Sequence, residues 1–147
     1  MSKRRGKSPS IGFEKKKEIV HRDGDNIYSL PGLYDLAFGY RNFEFETEFL
    51  LDSHRRYSLQ NKDARSILEL AAGPARHSMT ALKIPSTSVE NAYALDCSEE
   101  MLKYNKGIVE DELGTDYSEN FNYVQGDMRT FSFVDKTFDS GLLLIQL

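Results

Sequence analysis

Between residues 64 and 114 the chain twice runs from a short apolar stretch of strand length into a turn and then into helical spacing. The first unit is Ser66-Ile67-Leu68-Glu69-Leu70, which stops at Ala71-Ala72-Gly73-Pro74 before a helix expected over Ala75 to Leu82. Pro74 suits the first helical position, where its missing amide costs nothing. The second unit is Asn91-Ala92-Tyr93-Ala94-Leu95, ending at Asp96. Ser98 is a helix cap, with Glu99 and Glu100 in a first turn that favours negative charge. Met101, Leu102, Ile108 and Leu113 can then face a core, and Gly114 can end the helix. Phe121 to Val124 reads as a third strand before Gly126-Asp127, and Phe138 opens a fourth that runs through Leu142-Leu143-Leu144-Ile145. Strands alternating with helices predict an α/β chain with a parallel sheet and flanking helices.

What precedes this region differs. Residues 1–26 hold eight Lys/Arg against four acids, net +4, whereas the whole chain is −4. With almost nothing to bury, they read as a basic, disordered arm. A solubilising tail is the plain reading; a nuclear-localisation or RNA-touching patch around Lys3–Lys7 is the sharper one. Over 27–62, Leu33, Leu36 and Ala37, then Phe45, Phe49 and Leu50, recur at spacings of three and four. They predict an N-terminal segment of one or two amphipathic helices, broken near Gly39. Residues 63–147 form the sheet domain. The chain stops at Leu147, in or just after its most apolar strand, so the expectation is a domain incomplete at its C-terminus. An exposed strand edge and bare leucines then predict poor solubility or marginal stability. A continuous apolar run also predicts that this strand is buried on both faces. No apolar run approaches the ~18–20 residues that span a bilayer, so no membrane partner is expected. The single cysteine, Cys97, excludes an internal disulfide and any Cys-cluster zinc site. It fits an intracellular, cytoplasmic chain, with a nuclear address as the alternative.

In open parallel sheets, ligands bind beyond the carboxyl ends of the strands. Glu69 lies at the end of the first strand, Asp96 at the end of the second and Asp127 just past the third. The small residues at 71–75 let a ligand approach backbone. Asp96 follows Gly73 by 23 residues, close to the ~20-residue offset at which an acid reaches ribose hydroxyls. Phosphate-cradling glycines in the G-x-G-x-x-G pattern are missing, and Glu69 would repel a pyrophosphate. The pattern suits a nucleoside carrying positive charge.

These stretches resemble the motifs of class I S-adenosylmethionine-dependent methyltransferases. Ile67 through His77 resembles the first motif, with alanine at 71 and 75 where the family favours glycine. Tyr93 through Leu102 resembles the second, Val124 through Arg129 the third, and Phe138-Asp139 with the apolar run the start of the fourth strand. The resemblance implies a Rossmann-like parallel sheet with S-adenosyl-L-methionine as cofactor. By the same resemblance Glu69 contacts the amino group of the methionine part and Ala71 and Gly73 line it. Asp96 binds the ribose, Cys97 and Met101 pack on the adenine, Asp127 accepts from its amino group, and Met128 adds amide and packing. Leu33 through Phe38 resembles an N-terminal helical lid, with Tyr34 as lid residue and Arg41 for the cofactor carboxylate.

Methyl transfer from an activated sulfonium needs mainly positioning and desolvation, and no catalytic base is identified. The acceptor, small molecule or macromolecule, is not specified, and nucleic acid is not expected beyond a weak role for the arm. Two other readings stand beside this one: a catalytically incomplete fragment acting as a binding module, and an NAD- or FAD-binding domain. His77 is read as structural. His21 and His54 lack convergent partners, so no metal is expected.

Overall fold

The computed structural model describes residues 27–144. The basic arm over 1–26 and Ile145 of the expected fourth strand lie outside them. After a short 3-10 turn, Ile27–Ser29, come α1 (Pro31–Phe38) and α2 (Phe43–Tyr57). Then follow β1 (Ser66–Leu70), α3 (Arg76–Lys83), β2 (Asn91–Asp96), α4 (Glu99–Leu113), α5 (Thr115–Ser118), β3 (Phe121–Gln125) and β4 (Ser140–Leu143). The four strands form one parallel sheet in the order β3-β2-β1-β4. The fold is the expected α/β, Rossmann-like sheet with flanking helices.

Strand alternation divides the sheet into two faces. Ile67, Ala92 and Phe121 stand in register, and Glu69, Ala94 and Leu142 follow on the same side. The apolar members pack with Met79, Ala81 and Leu82 of α3 and Leu113 of α4 as the main core. Alanine at 92 and 94 leaves room for helix side chains. On the other side, Tyr93 meets Phe133 and Phe138 in edge-on ring contacts from the loop between β3 and β4. Asp139 ties β4 to β1: one carboxylate oxygen accepts from the Arg65 and Ser66 amides, both at 2.9 Å.

Three local expectations are corrected. Pro74 does not start a helix. Ala75, in the left-handed region at φ 58°, caps α3, which begins at Arg76. The fourth strand starts at Ser140 rather than Phe138, because the Phe138 ring folds onto Tyr93. It is not buried on both faces either: Leu142 is buried while Leu143 is 47% exposed. The third correction concerns the helical stripe. Both helices form and break at Gly39, where a Cβ would sit 2.8 Å from the Asp35 carbonyl oxygen. Yet Leu33, Leu36, Phe45 and Phe49 face solvent. The inward sides carry Asp35 and Thr47, with Leu50 and Leu51 against the core. Ser98 caps α4 as expected, accepting from the Met101 amide at 3.1 Å.

Candidate functional site

The turn after β1 is the most constrained backbone at the carboxyl edge of the sheet. Ala71, Gly73 and Ala75 all take positive φ, at 51°, 52° and 58°. Only glycine enters that region without a Cβ penalty. Three side chains from elsewhere hold the turn. Asp96 Oδ2 accepts from the Gly73 amide at 2.8 Å, and Asp96 Oδ1 accepts from the Ser98 amide at 2.9 Å. The Tyr123 hydroxyl donates to the Gly73 carbonyl at 2.5 Å. Asn105, fully buried on α4, donates from Nδ2 to the Pro74 carbonyl at 2.8 Å. Burial, with the nearby Asp96 and Glu69 carboxylates, pushes the Tyr123 phenol well above its ordinary value, so it remains a donor.

This turn forms one wall of a cavity of about 730 Å³. Tyr34, Ala71 and Gly73 line it on one side, and Asp96, Cys97 and Met101 along the start of α4. Asp127 and Met128 close it past β3, together with Gly126 and Arg129, and Tyr28 and Leu144 also reach it. The Gly126 amide donates to the Asp96 carbonyl at 2.8 Å, which fixes the third wall to the second. Asp127 is paired with Arg129, whose hydrogen bonds hold its carboxyl down at about 2. It stays an ionised acceptor near neutrality. Burial and then Asp96 raise the Cys97 thiol, which disfavours the thiolate a nucleophile needs.

Glu69 and Arg41 do not line this cavity. They meet in a small adjoining cleft of about 30 Å³ that shares Tyr34, Ala71 and Leu144 with it. Glu69, 3% exposed, accepts from the Ser78 amide at 2.9 Å and hydroxyl at 2.6 Å. Its other oxygen lies 3.4 Å from His77 Nδ1. His77 Nε2 lies 2.8 Å from Glu46, which Arg41 also engages at 2.6 Å. Burial alone would push the imidazolium down, but the Glu69 hydrogen bond and charge, then Glu46, leave it above the ordinary histidine value. The result is a chain of alternating charge beside the small-residue turn.

Sequence reasoning missed Tyr123, Asn105 and this use of His77, and it missed a second group on α1. Asp35 is buried and receives Arg76 Nε at 2.8 Å and the Tyr104 hydroxyl at 2.7 Å, while Arg76 also bonds Glu112 on α4. Nothing in the local pattern marks these residues, because their partners lie tens of positions away. Among the described residues no cluster of His, Cys, Asp and Glu could hold a metal, and no helix is long and apolar enough to cross a membrane.

No family model matches the chain, and no curated protein does. Among solved structures it is similar to an S-adenosylmethionine-dependent methyltransferase from Clostridium acetobutylicum ATCC 824. The TM-score is 0.57 and the identity 18%, over 80% of this chain and 44% of that one. It is also similar to the plantazolicin methyltransferase BpumL in complex with SAH, with TM-score 0.54 and identity 18%, over 83% of this chain and 42% of that one. The chain thus spans under half the length of either structure. The likeness is one of fold: a parallel Rossmann-like sheet with flanking helices, shared with these two methyltransferases.

Proposed function

We propose that the chain binds S-adenosyl-L-methionine at the carboxyl rim of β1, β2 and β3, as part of an enzyme that passes the methyl group to an acceptor. The observation that carries this reading is convergence: Ala71 and Gly73, Asp96, and Asp127 with Met128, from three successive strand ends, line one cavity. Its chemistry fits the group. Asp96 keeps lone pairs beyond those given to the Gly73 and Ser98 amides, so a vicinal diol can still donate to it. Cys97, Met101 and Met128 offer an apolar, polarisable surface to a purine. Glu69 and Arg41 border the adjoining cleft, where Glu69 is held by Ser78 and His77 and Arg41 by Glu46, so the larger cavity carries the reading. Two of the solved structures with this fold are methyltransferases by description, one of them holding SAH.

The bound cofactor supplies an activated methyl carbon on a sulfonium. The residues here bind and orient it, and Tyr34 and Leu144, which border both spaces, shield it from water. No residue of the chain is assigned as a base; an acceptor that must lose a proton needs one supplied elsewhere. The acceptor class, small molecule or macromolecule, is left unassigned. Titration with S-adenosylhomocysteine tests the reading. The wild-type chain binds it, and Asp96→Ala weakens binding roughly 10–100-fold, the worth of charge-assisted hydrogen bonds at ~1.5–3 kcal/mol. Equal affinity in the variant removes Asp96 from the site. NAD competing for the same site favours a dinucleotide-binding domain instead.

A further inference from the structure

Helix α1 borders the cavity and buries little apolar surface of its own. Its one buried residue among those described is an acid, Asp35, while Leu33 and Leu36 face solvent. The Tyr34 ring meets Tyr28 and Phe38 within the N-terminal segment, and the Tyr104 ring of α4 lies beside Gly32. The buried tie from α1 to the body of the protein is charged. Arg76, the first residue of α3, grips both Asp35 oxygens and turns its remaining nitrogen to Glu112 of α4. Tyr104 of α4 donates to Asp35 as well. The pin stands one residue from Tyr34, whose ring reaches the Gly73 turn and borders both the cavity and the cleft.

We propose that Asp35 and Arg76 are positioning residues: through their ion pair α1 holds Tyr34 across the site, so that a bound ligand is retained by a contact lying outside the larger cavity. The inference rests on the reading of that cavity as the S-adenosylmethionine site. The Asp35–Arg76 ion pair can be released by one substitution, and its partners on α3 and α4 remain in place because those helices are packed on the sheet.

The test has two arms. In the first, hydrogen exchange without ligand compares the wild type with Asp35→Asn. The amides of residues 32–38 exchange faster in the variant while those of β1 and β2 do not change. Unchanged exchange over 32–38 overturns the proposal. In the second, S-adenosylhomocysteine affinity is measured for Asp35→Asn, Tyr34→Ala and the double variant. Each single change weakens binding about tenfold, the equivalent of ~1.4 kcal/mol, because both remove the Tyr34 ring from the site, and the double variant is little weaker than either. Losses that multiply show that Asp35 acts only through overall stability and overturn the proposal. Tyr104→Phe removes one hydrogen bond and keeps the ion pair. It gives a smaller change of the same sign in both arms, and serves where Asp35→Asn does not fold. A wild type that binds no S-adenosylhomocysteine overturns the functional reading instead, and the exchange arm then decides the inference alone.

Discussion

Ala71 and Ala75 occupy backbone that glycine would occupy freely. A left-handed alanine costs about 1–2 kcal/mol, partly offset by its lower entropy in the unfolded chain. Ala71 is exposed, so Ala71→Gly stabilises the chain by about 0.5 kcal/mol, read as a higher denaturation midpoint at unchanged slope. Ala75 is fully buried. There glycine also removes a packed methyl worth ~0.8 kcal/mol, and the midpoint stays near that of the wild type. His77 gives a pH prediction. Its folded pKa is raised above 6.5, so its contribution is fully present below about pH 6.5 and is lost as pH rises through the folded value. The melting-temperature gap between wild type and His77→Gln therefore shrinks between pH 6.5 and 9. Asp96 and Asp127 were legible in the sequence because one ends a strand and the other stands just past one. Tyr123, Asn105 and Arg76 were not, since each acts on a partner 31 to 50 positions away.

At the scale of elements, β1 and β2 were legible nearly to the residue: burial on both faces of a parallel sheet demands short continuous apolar runs, and turn residues bound them. The helices α1 and α2 were legible as helices but not in orientation. Periodicity shows that a helix has two sides; which side turns inward depends on what it meets. Here α1 meets Arg76 and Tyr104, so an acid points in and leucines point out. The turn between β1 and α3 makes a further prediction. Tyr123→Phe removes a hydroxyl that donates to the Gly73 carbonyl. It costs about 1 kcal/mol of stability and loosens S-adenosylhomocysteine binding a few-fold, measured by chemical denaturation and calorimetry.

For the molecule as a whole, the surface carries more large apolar side chains than its folding needs. Phe45 and Phe49, one turn apart on α2, are 66% and 63% exposed. Apolar surface of this kind promotes association. The double variant Phe45→Glu/Phe49→Lys raises the monomer fraction in sedimentation velocity, while its stability stays within about 0.5 kcal/mol of the wild type. Association unchanged in that variant assigns the stickiness to another patch, such as the one around Leu143. The three clamps on the 71–75 turn bear on how the protein is made. They come from residues 96, 105 and 123, all synthesised after the turn itself. A nascent chain that has released β1 and α3 from the ribosome therefore still lacks the side chains that hold this rim of the cavity in shape. Under the proposed reading, S-adenosylhomocysteine binding switches on only after Asp127, Met128 and Leu144 have also cleared the exit tunnel, and stalled chains of graded length display that step.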